Sequence, residues 1–458
     1  MGHIELGFVS DEVLSEWVQA QRWFGSKARG VGQVNVLDAV MLRDEEPPLT
    51  AAFLEARFGP GTHDLYQLLV SSRPAGDQWG EGVISTVYDT TVYDALADPA
   101  VGAALATLME RGSVIDGEQG QVRFHWTGAT GSVGDAPAVR SIGVEQSNSS
   151  IVFDDRLILK VFRRLEPGDN PELEMLRFLS GHGFANIPAL AGWYECTGEL
   201  LDATLGVLTD FVADGRDGWE HTLEDPDGVI GALAELGEVT ARMHTVLGSD
   251  GTDPEFAPEE PGDAALSLLT ATIDEEIERL WFDLPAGVEA LAPIEHRGEE
   301  IRDRLQMLSH VGVGGRLIRS HGDYHLGQTL RTPDRWVILD FEGEPARALR
   351  DRRRKRSPLR DVAGMLRSFA YAASAMEAMA GRSAPEGWEQ RARSAFLDAY
   401  LEAVEPSLLP AGQQAIDNLL AIFELEKAVY ELRYELNNRP DWVGIPVAGI
   451  ERLLESGL

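Results

Sequence analysis

Near residue 171 the chain changes its hydrophobic period, and that change decides what it can fold into. Before it, short alternating segments recur between turns. Residues 34–40, 51–58 and 64–70 read as strands, separated by Pro-Pro, Gly-Pro-Gly-Thr and a Ser-Ser-Arg-Pro-Ala-Gly-Asp stretch. Residues 93–111 read as a helix with Leu96, Leu105 and Leu108 on one side, and 121–155 return to strand patterns. In 151–162 two apolar runs flank Asp154, Asp155 and Arg156, the pattern of a hairpin. Asn170-Pro171 then supplies a helix cap followed by a first-turn proline. Helical periodicity dominates 228–246, 262–310, 361–379, 389–404 and 413–437, while 249–262 is acidic and Pro-rich and reads as a surface loop. A β-rich front and a helix-rich back predict an α+β, two-lobed body, and 458 residues are more than one hydrophobic core usually serves.

Charge removes several roles. Forty Lys+Arg stand against 75 Asp+Glu, a formal net charge of −35, which opposes nucleic-acid backbones and anionic lipid surfaces. Cys196 is the single cysteine, so neither an intrachain disulfide nor a cysteine-based zinc cluster can form. The first residues lack an apolar signal region, and no run of 18 apolar residues occurs; the expectation is a cytoplasmic protein.

The densest polar cluster is Ser-His-Gly-Asp-Tyr-His-Leu-Gly-Gln-Thr-Leu (320–330), followed by Trp-Val-Ile-Leu-Asp-Phe-Glu-Gly-Glu-Pro (336–345). A short apolar run delivers Asp340 and Glu342 at its end, where carboxylates need cations or hydrogen-bond donors. Phosphoryl transfer from a nucleotide to a hydroxyl accounts for the pattern. Asp323 would accept or orient the hydroxyl proton, and Gln328 and Asp340 would hold Mg²⁺ across the nucleotide phosphates. Lys160, ending Leu-Ile-Leu-Lys, would hold those phosphates, with Glu174 on the next helix as its ion-pair partner. Residues 143–150, including Ser147, Asn148 and Ser149, occupy the place of a phosphate-covering turn, with only one glycine. Residues 206–212, with Thr209, Asp210 and Phe211, fit a strand that joins the lobes and offers backbone atoms to an adenine. Taken singly, a His-Gly-Asp triplet is more often a turn, and His321 and His325 suit structural hydrogen bonding better than a Mg²⁺ site. Their joint order and spacing favour a bilobal kinase over a metal hydrolase or a non-catalytic nucleotide or sugar sensor.

These segments, with Ser-Pro-Leu-Arg-Asp-Val-Ala-Gly (357–364), Asn-Arg-Pro-Asp-Trp (438–442) and Gln-Arg-Trp-Phe-Gly-Ser-Lys-Ala-Arg (21–29), resemble the bacterial maltokinases. That family lies within the aminoglycoside-phosphotransferase-like, eukaryotic-protein-kinase-like superfamily, and the resemblance covers nearly the whole chain. It implies ATP and Mg²⁺, and phosphorylation of maltose at its reducing-end C1 hydroxyl. It also implies an N-terminal cap subdomain (1–92), a β-rich N-lobe (93–212) and a mostly helical C-lobe (213–458). Related kinases act on glucosamine, and acarbose-like pseudo-oligosaccharides are a further alternative. Association with trehalose synthase is a further implication.

A sugar site wants carboxylates, cations and aromatics together. The tail segment 424–442 supplies them: Lys427, Tyr430, Glu431 and Tyr434 share a helical face. Glu426, Lys427, Tyr430 and Tyr434 are the sugar-binding candidates there, with His325, Glu342 and Asp323 from the polar cluster. Arg439 and Trp442 suit structural or rim positions, and the basic run 350–356 reads as a solvated loop, or secondarily as a partner contact.

Overall fold

A computed structural model of the chain describes residues 9–26, 30–59, 61–76, 82–134, 137–144, 148–262, 264–285, 287–308, 314–345, 347–380 and 383–455. The chain divides into two compact units, Met1–Ser180 with Pro188–Ala213, and Gly181–Ile187 with Asp214–Leu458. The first is β-rich and the second mostly helical, as the change of period predicts.

Two antiparallel sheets build the first unit. One runs in the order Val31–Arg43, Leu49–Phe58, Thr62–Pro74, Thr90–Asp94, Val83–Val87, and takes in the segments read as strands at 34–40, 51–58 and 64–70. The amphipathic helix Asp11–Ala20 belongs to its core, where Leu14, Val18, Trp23 and Phe24 meet Val34, Leu54 and Leu68. The second sheet is seven-stranded, and the hairpin Asn148–Phe153/Leu157–Phe162 sits within it. Asp154 and Asp155 adopt φ of 51° and 50°, the left-handed pair that matches a hairpin's twist and that Asp tolerates. One element differs from expectation. The helix read over 93–111 is Pro99–Glu110, because Thr90–Asp94 is a strand and Asp98 caps the helix, its Oδ1 accepting from Ala100 N–H at 3.0 Å.

In the second unit the helices Ile230–Leu247, Leu359–Ala380, Trp388–Ala403 and Gln413–Asn438 lie within two residues of the predicted bounds. The single helical stretch expected over 262–310 is instead two helices, Ala265–Phe282 and Gly298–Leu308, parted at Asp283, Pro285 and nearby loop residues. Gln413–Asn438 carries buried acids inward: Glu424, Glu426, Glu431 and Glu435 pair with Arg393, Arg360, Arg367 and Arg439 at 2.6–3.0 Å. The helix is therefore held by charge as well as by Leu419, Leu425 and Leu432.

The basic run is a correction. It is not a merely solvated loop: it begins in the helix Leu349–Arg352, and the side chains of Arg352 and Lys355 are only 7% and 9% exposed. Arg353 pairs with Glu255 at 3.0 Å, and Lys355 with Glu259 at 2.8 Å, so the run fastens the acidic 249–262 loop. Among the described residues no helix is long and apolar enough to cross a membrane.

Candidate active site

The polar loop of the second unit is built around a buried acid that sequence reasoning left unassigned. Asp361, in the first turn of Leu359–Ala380, accepts the backbone N–H of His321 on Oδ2 at 2.8 Å and that of Gly322 on Oδ1 at 2.9 Å. His244 Nε2 lies 3.2 Å from the same Oδ2, and its Nδ1 is 3.0 Å from the Tyr400 hydroxyl. Burial opposes ionisation of Asp361, but His244, His321 and the backbone donor hold its carboxyl below the usual carboxylate range. The loop backbone is thus clamped from beneath. His321 is buried and donates from Nε2 to the Leu339 carbonyl at 2.8 Å, a structural role that ties the loop to the strand Trp336–Ile338 and its exit. Gly322 (φ 85°) and Gly343 (φ 72°) pass each other where a Cβ on Gly322 would lie 3.2 Å from the Gly343 Cα.

Asp323 projects from this clamp. Its Oδ1 accepts from Lys427 Nζ at 3.1 Å, and its Oδ2 is 4.0 Å from His325 Nε2. Burial pushes the Asp323 carboxyl up, yet Lys427 and His325 outweigh it, and the group sits below its ordinary range. His325 is pushed down, mainly by burial; its Nδ1 accepts from Gly327 N–H at 3.1 Å, which leaves the neutral ring's proton on Nε2, towards Asp323. Gln328 and Asp340 meet as expected from their spacing: Gln328 Nε2 donates to Asp340 Oδ2 at 3.1 Å. Asp340 has a φ of 60°, a left-handed conformation at the exit of the Trp336–Ile338 strand.

A cavity of about 230 Å³ opens beside Asp323. Glu426, Lys427 and Tyr430 line it, together with Glu344, Arg347 and Arg360, which the sequence reading did not assign. Arg360 bridges Glu426 at 3.0 Å and Glu344 at 3.3 Å, and Arg347 pairs with Glu344 and lies 3.6 Å from Glu426. The other sugar candidates lie elsewhere. Tyr434 is exposed and stacked under Arg439 at 5.4 Å, and Glu342 is near Arg352; neither, nor His325, lines this cavity. One helical turn decides this: Tyr434 lies past the point where Gln413–Asn438 leaves the cavity, while Glu431 turns inward to Arg367 at 2.7 Å. Arg439 and Trp442 stack at 5.1 Å, away from the lining. The Ser-Pro-Leu-Arg-Asp sequence was the available signal for Arg360 and Asp361: a charged pair at a helix start amid apolar residues.

In the first unit Lys160 stands opposite Ser150 in the hairpin and Val207 in the neighbouring strand. Its ammonium donates at 2.9 Å to Glu172, an acid two residues before the expected Glu174, on the helix Pro171–Gly181. Asn170 caps that helix, accepting from Glu172 N–H at 2.8 Å, so the cap also positions the lysine's partner. Ser149 Oγ accepts from Arg163 at 2.8 Å, which ties it into the sheet; Asn148 is buried, and Ser147 lies outside the described residues. Thr209 and Asp210 end the strand Ala203–Asp210, while Phe211 follows it. The amides of Asp210 and Phe211 already donate to Ala189 and Arg156, at 2.9 and 2.7 Å.

A β-rich unit with a lysine–glutamate pair, and a helical unit with a clamped His-Gly-Asp loop, define a kinase of the aminoglycoside-phosphotransferase-like class. Residues 138–343 match the phosphotransferase enzyme family, and residues 17–98 match the maltokinase N-terminal cap domain. The fold is that of the aminoglycoside-phosphotransferase-like kinases with an N-terminal cap, and the matches support a phosphotransferase with an alcohol group as acceptor. It is 27% identical over 372 residues to a glucosamine kinase of Streptacidiphilus jiangxiensis, covering 77% of this chain and 81% of the relative. It is 26% identical over 335 residues to a glucosamine kinase of Mycolicibacterium smegmatis, covering 69% and 80%. The fold is shared with a glucosamine kinase solved with glucosamine, ADP and inorganic phosphate, at a TM-score of 0.68 and 22% identity over 96% of this chain and 99% of that one.

Proposed function

We propose that this protein is an ATP- and Mg²⁺-dependent sugar kinase whose acceptor is a neutral sugar, maltose first, giving maltose 1-phosphate. The observation that carries the choice of sugar is the charge state of the cavity wall. Asp323 is paired with Lys427, Glu344 and Glu426 with Arg360 and Arg347, and Asp361 with His244. Four of the five acids of the wall are thus engaged, Glu276 being the fifth, and the cations beside the four disfavour an ammonium there, so hydroxyl groups suit that part of the wall better than an amino sugar. Glucosamine is the second reading, favoured by the names of the two relatives.

Catalysis would rest on positioning. Lys427 occupies Oδ1 of Asp323, which leaves Oδ2, beside His325, for the acceptor hydroxyl. A carboxyl held below its usual range is a weak base, suited to orienting the hydroxyl and taking its proton late, as a loose phosphoryl-transfer transition state allows. Gln328 and Asp340 present a carbonyl and a carboxylate, the hard oxygen donors Mg²⁺ prefers, and would hold it. When bound, the ion would neutralise charge on the nucleotide phosphates. Lys160, oriented by Glu172, supplies the cation for the phosphates. The domains proposed with this reading are a cap at 1–92, a nucleotide-binding region at 93–212 and an acceptor region at 213–458. Association with trehalose synthase belongs to the maltose reading, and co-purification tests it.

The experiment is ADP release by the purified protein with maltose, glucosamine, glucose, maltotriose and acarbose. Maltose should give the highest kcat/KM. Turnover of glucosamine at an equal or higher kcat/KM refutes the neutral-acceptor reading, and ADP release independent of any sugar refutes the kinase reading.

A further inference from the structure

A second cavity, of about 280 Å³, lies in the helical unit and shares Glu276, Arg347, Arg360, Phe423 and Glu426 with the wall of the acceptor cavity. Its lining is mixed in chemistry. Leu266, Leu269, Leu317 and Leu419 form an apolar side, and Leu268, which also lines it, is 58% exposed. The segment Arg354–Ser357, the end of the basic run, adds a charged stretch to the same lining. Across the whole lining five cationic side chains (Arg347, Arg354, Lys355, Arg356, Arg360) face three acidic ones (Glu276, Asp351, Glu426), in a chain whose net charge is −35.

Three of those cations have partners: Arg347 and Arg360 hold Glu344 and Glu426, and Lys355 holds Glu259. Arg356 does not. Its backbone is fixed by reciprocal hydrogen bonds with Ile318, at 2.8 and 2.9 Å. Among the described residues its half-buried guanidinium has no ion pair and no hydrogen bond; the guanidinium of Arg354, which has none either, is exposed. Burial, followed by the charges of Arg360 and Arg347, depresses Arg356 to about 10, so the site resists the charge it carries. A guanidinium rooted in place beside a cavity, crowded by like charges and unpaired, is a group for which an anion is missing. Inorganic anions alone would leave the leucines facing water, and a neutral apolar molecule would leave Arg356 uncompensated.

We propose that this cavity binds a small amphipathic anion, a carboxylate or phosphate monoester on an apolar body, with Arg356 and Arg354 on the charged head and the leucine side on the body. The two cavities share part of their walls, but the charged groups assigned to the head, Arg356 and Arg354, and the residue Asp323 each line only one of them.

Three probes share one body and differ in head: 1-naphthyl phosphate, 1-naphthoate and 1-naphthol. They are titrated calorimetrically into the full chain saturated with ADP, with inorganic phosphate as the head alone. Both naphthyl anions should bind, and the tighter of the two identifies the head as phosphate or carboxylate; 1-naphthol and inorganic phosphate should bind at least ~10-fold more weakly, the scale of a charge-assisted contact. Arg356→Gln should weaken the anions by ~10-fold or more at an unchanged melting temperature, and Ala415→Trp, which fills the cavity from its lining, should abolish their binding. Equal binding of 1-naphthol, unaltered anion binding in both folded variants, or no binding of either naphthyl anion overturns the proposal.

Discussion

Lys427 and Asp323 are 104 residues apart in sequence, and their charged atoms meet at 3.1 Å. The contact joins the loop that carries the proposed base to the helix that lines the acceptor cavity. It also fixes which carboxylate oxygen stays available.

Lys427→Met removes the strongest charge holding Asp323 ionised, and burial then dominates. Activity needs the ionised form, so the acidic limb of kcat/KM against pH should move upward, from below the usual carboxylate range to at or above it. An unmoved limb would place the titrating group elsewhere. Asp323→Asn should abolish turnover and leave nucleotide affinity within about threefold.

Asp361→Asn weakens a buried anchor for two backbone amides and replaces the carboxylate oxygen beside His244 Nε2. The expected loss is about 3 kcal/mol of stability, read as a lower urea midpoint at an unchanged slope. Since folding depresses the Asp361 pKa, its contribution is present above the ordinary carboxylate value and is lost as pH falls through the folded value. The gap between wild type and variant should therefore narrow in acid.

Glu172→Gln should raise KM for ATP and lower kcat by about 10-fold or more, by freeing the Lys160 ammonium from its 2.9 Å contact. Comparison with Glu174→Gln separates the two acids: a larger effect at Glu174 would make it, and not Glu172, the orienting partner.

Gly364→Ala tests the packing beneath the site. A Cβ there would lie 2.7 Å from the Tyr324 carbonyl oxygen, backbone that cannot move without moving Asp323. Overpacking of this kind costs about 1–3 kcal/mol, and kcat should fall with nucleotide affinity nearly unchanged. An unaltered kcat would show that the loop tolerates the shift.

What was legible in the sequence was local. The 151–162 hairpin, the Asn170 cap and the Gln328–Asp340 pairing follow from neighbours a few residues away, or from short loops that constrain geometry. Arg360, Glu344 and Asp361 were missed because their meaning lies in contacts that cross 16 to 117 residues. Glu172 was not singled out because helical facing alone does not rank it against Glu174, two acids in one first turn. The break in 262–310 was signalled by Asp283-Leu284-Pro285, outweighed by the periodicity on either side. The basic run looked solvated because nothing in its own seven residues reveals Glu255 and Glu259.

The helix Gln413–Asn438 sets a constraint on redesign. Within 26 residues it carries the cation on Asp323, part of the acceptor wall and four acids that pair with arginines, three of them buried or half-buried. Selection for a new sugar that changes Glu426 or Lys427 also loosens the scaffold, so gains in scope will arrive with losses in robustness. Arg433, exposed on the same helix and lining the cavity without a part in those acid–arginine pairs, is where scope can be varied at less cost to robustness.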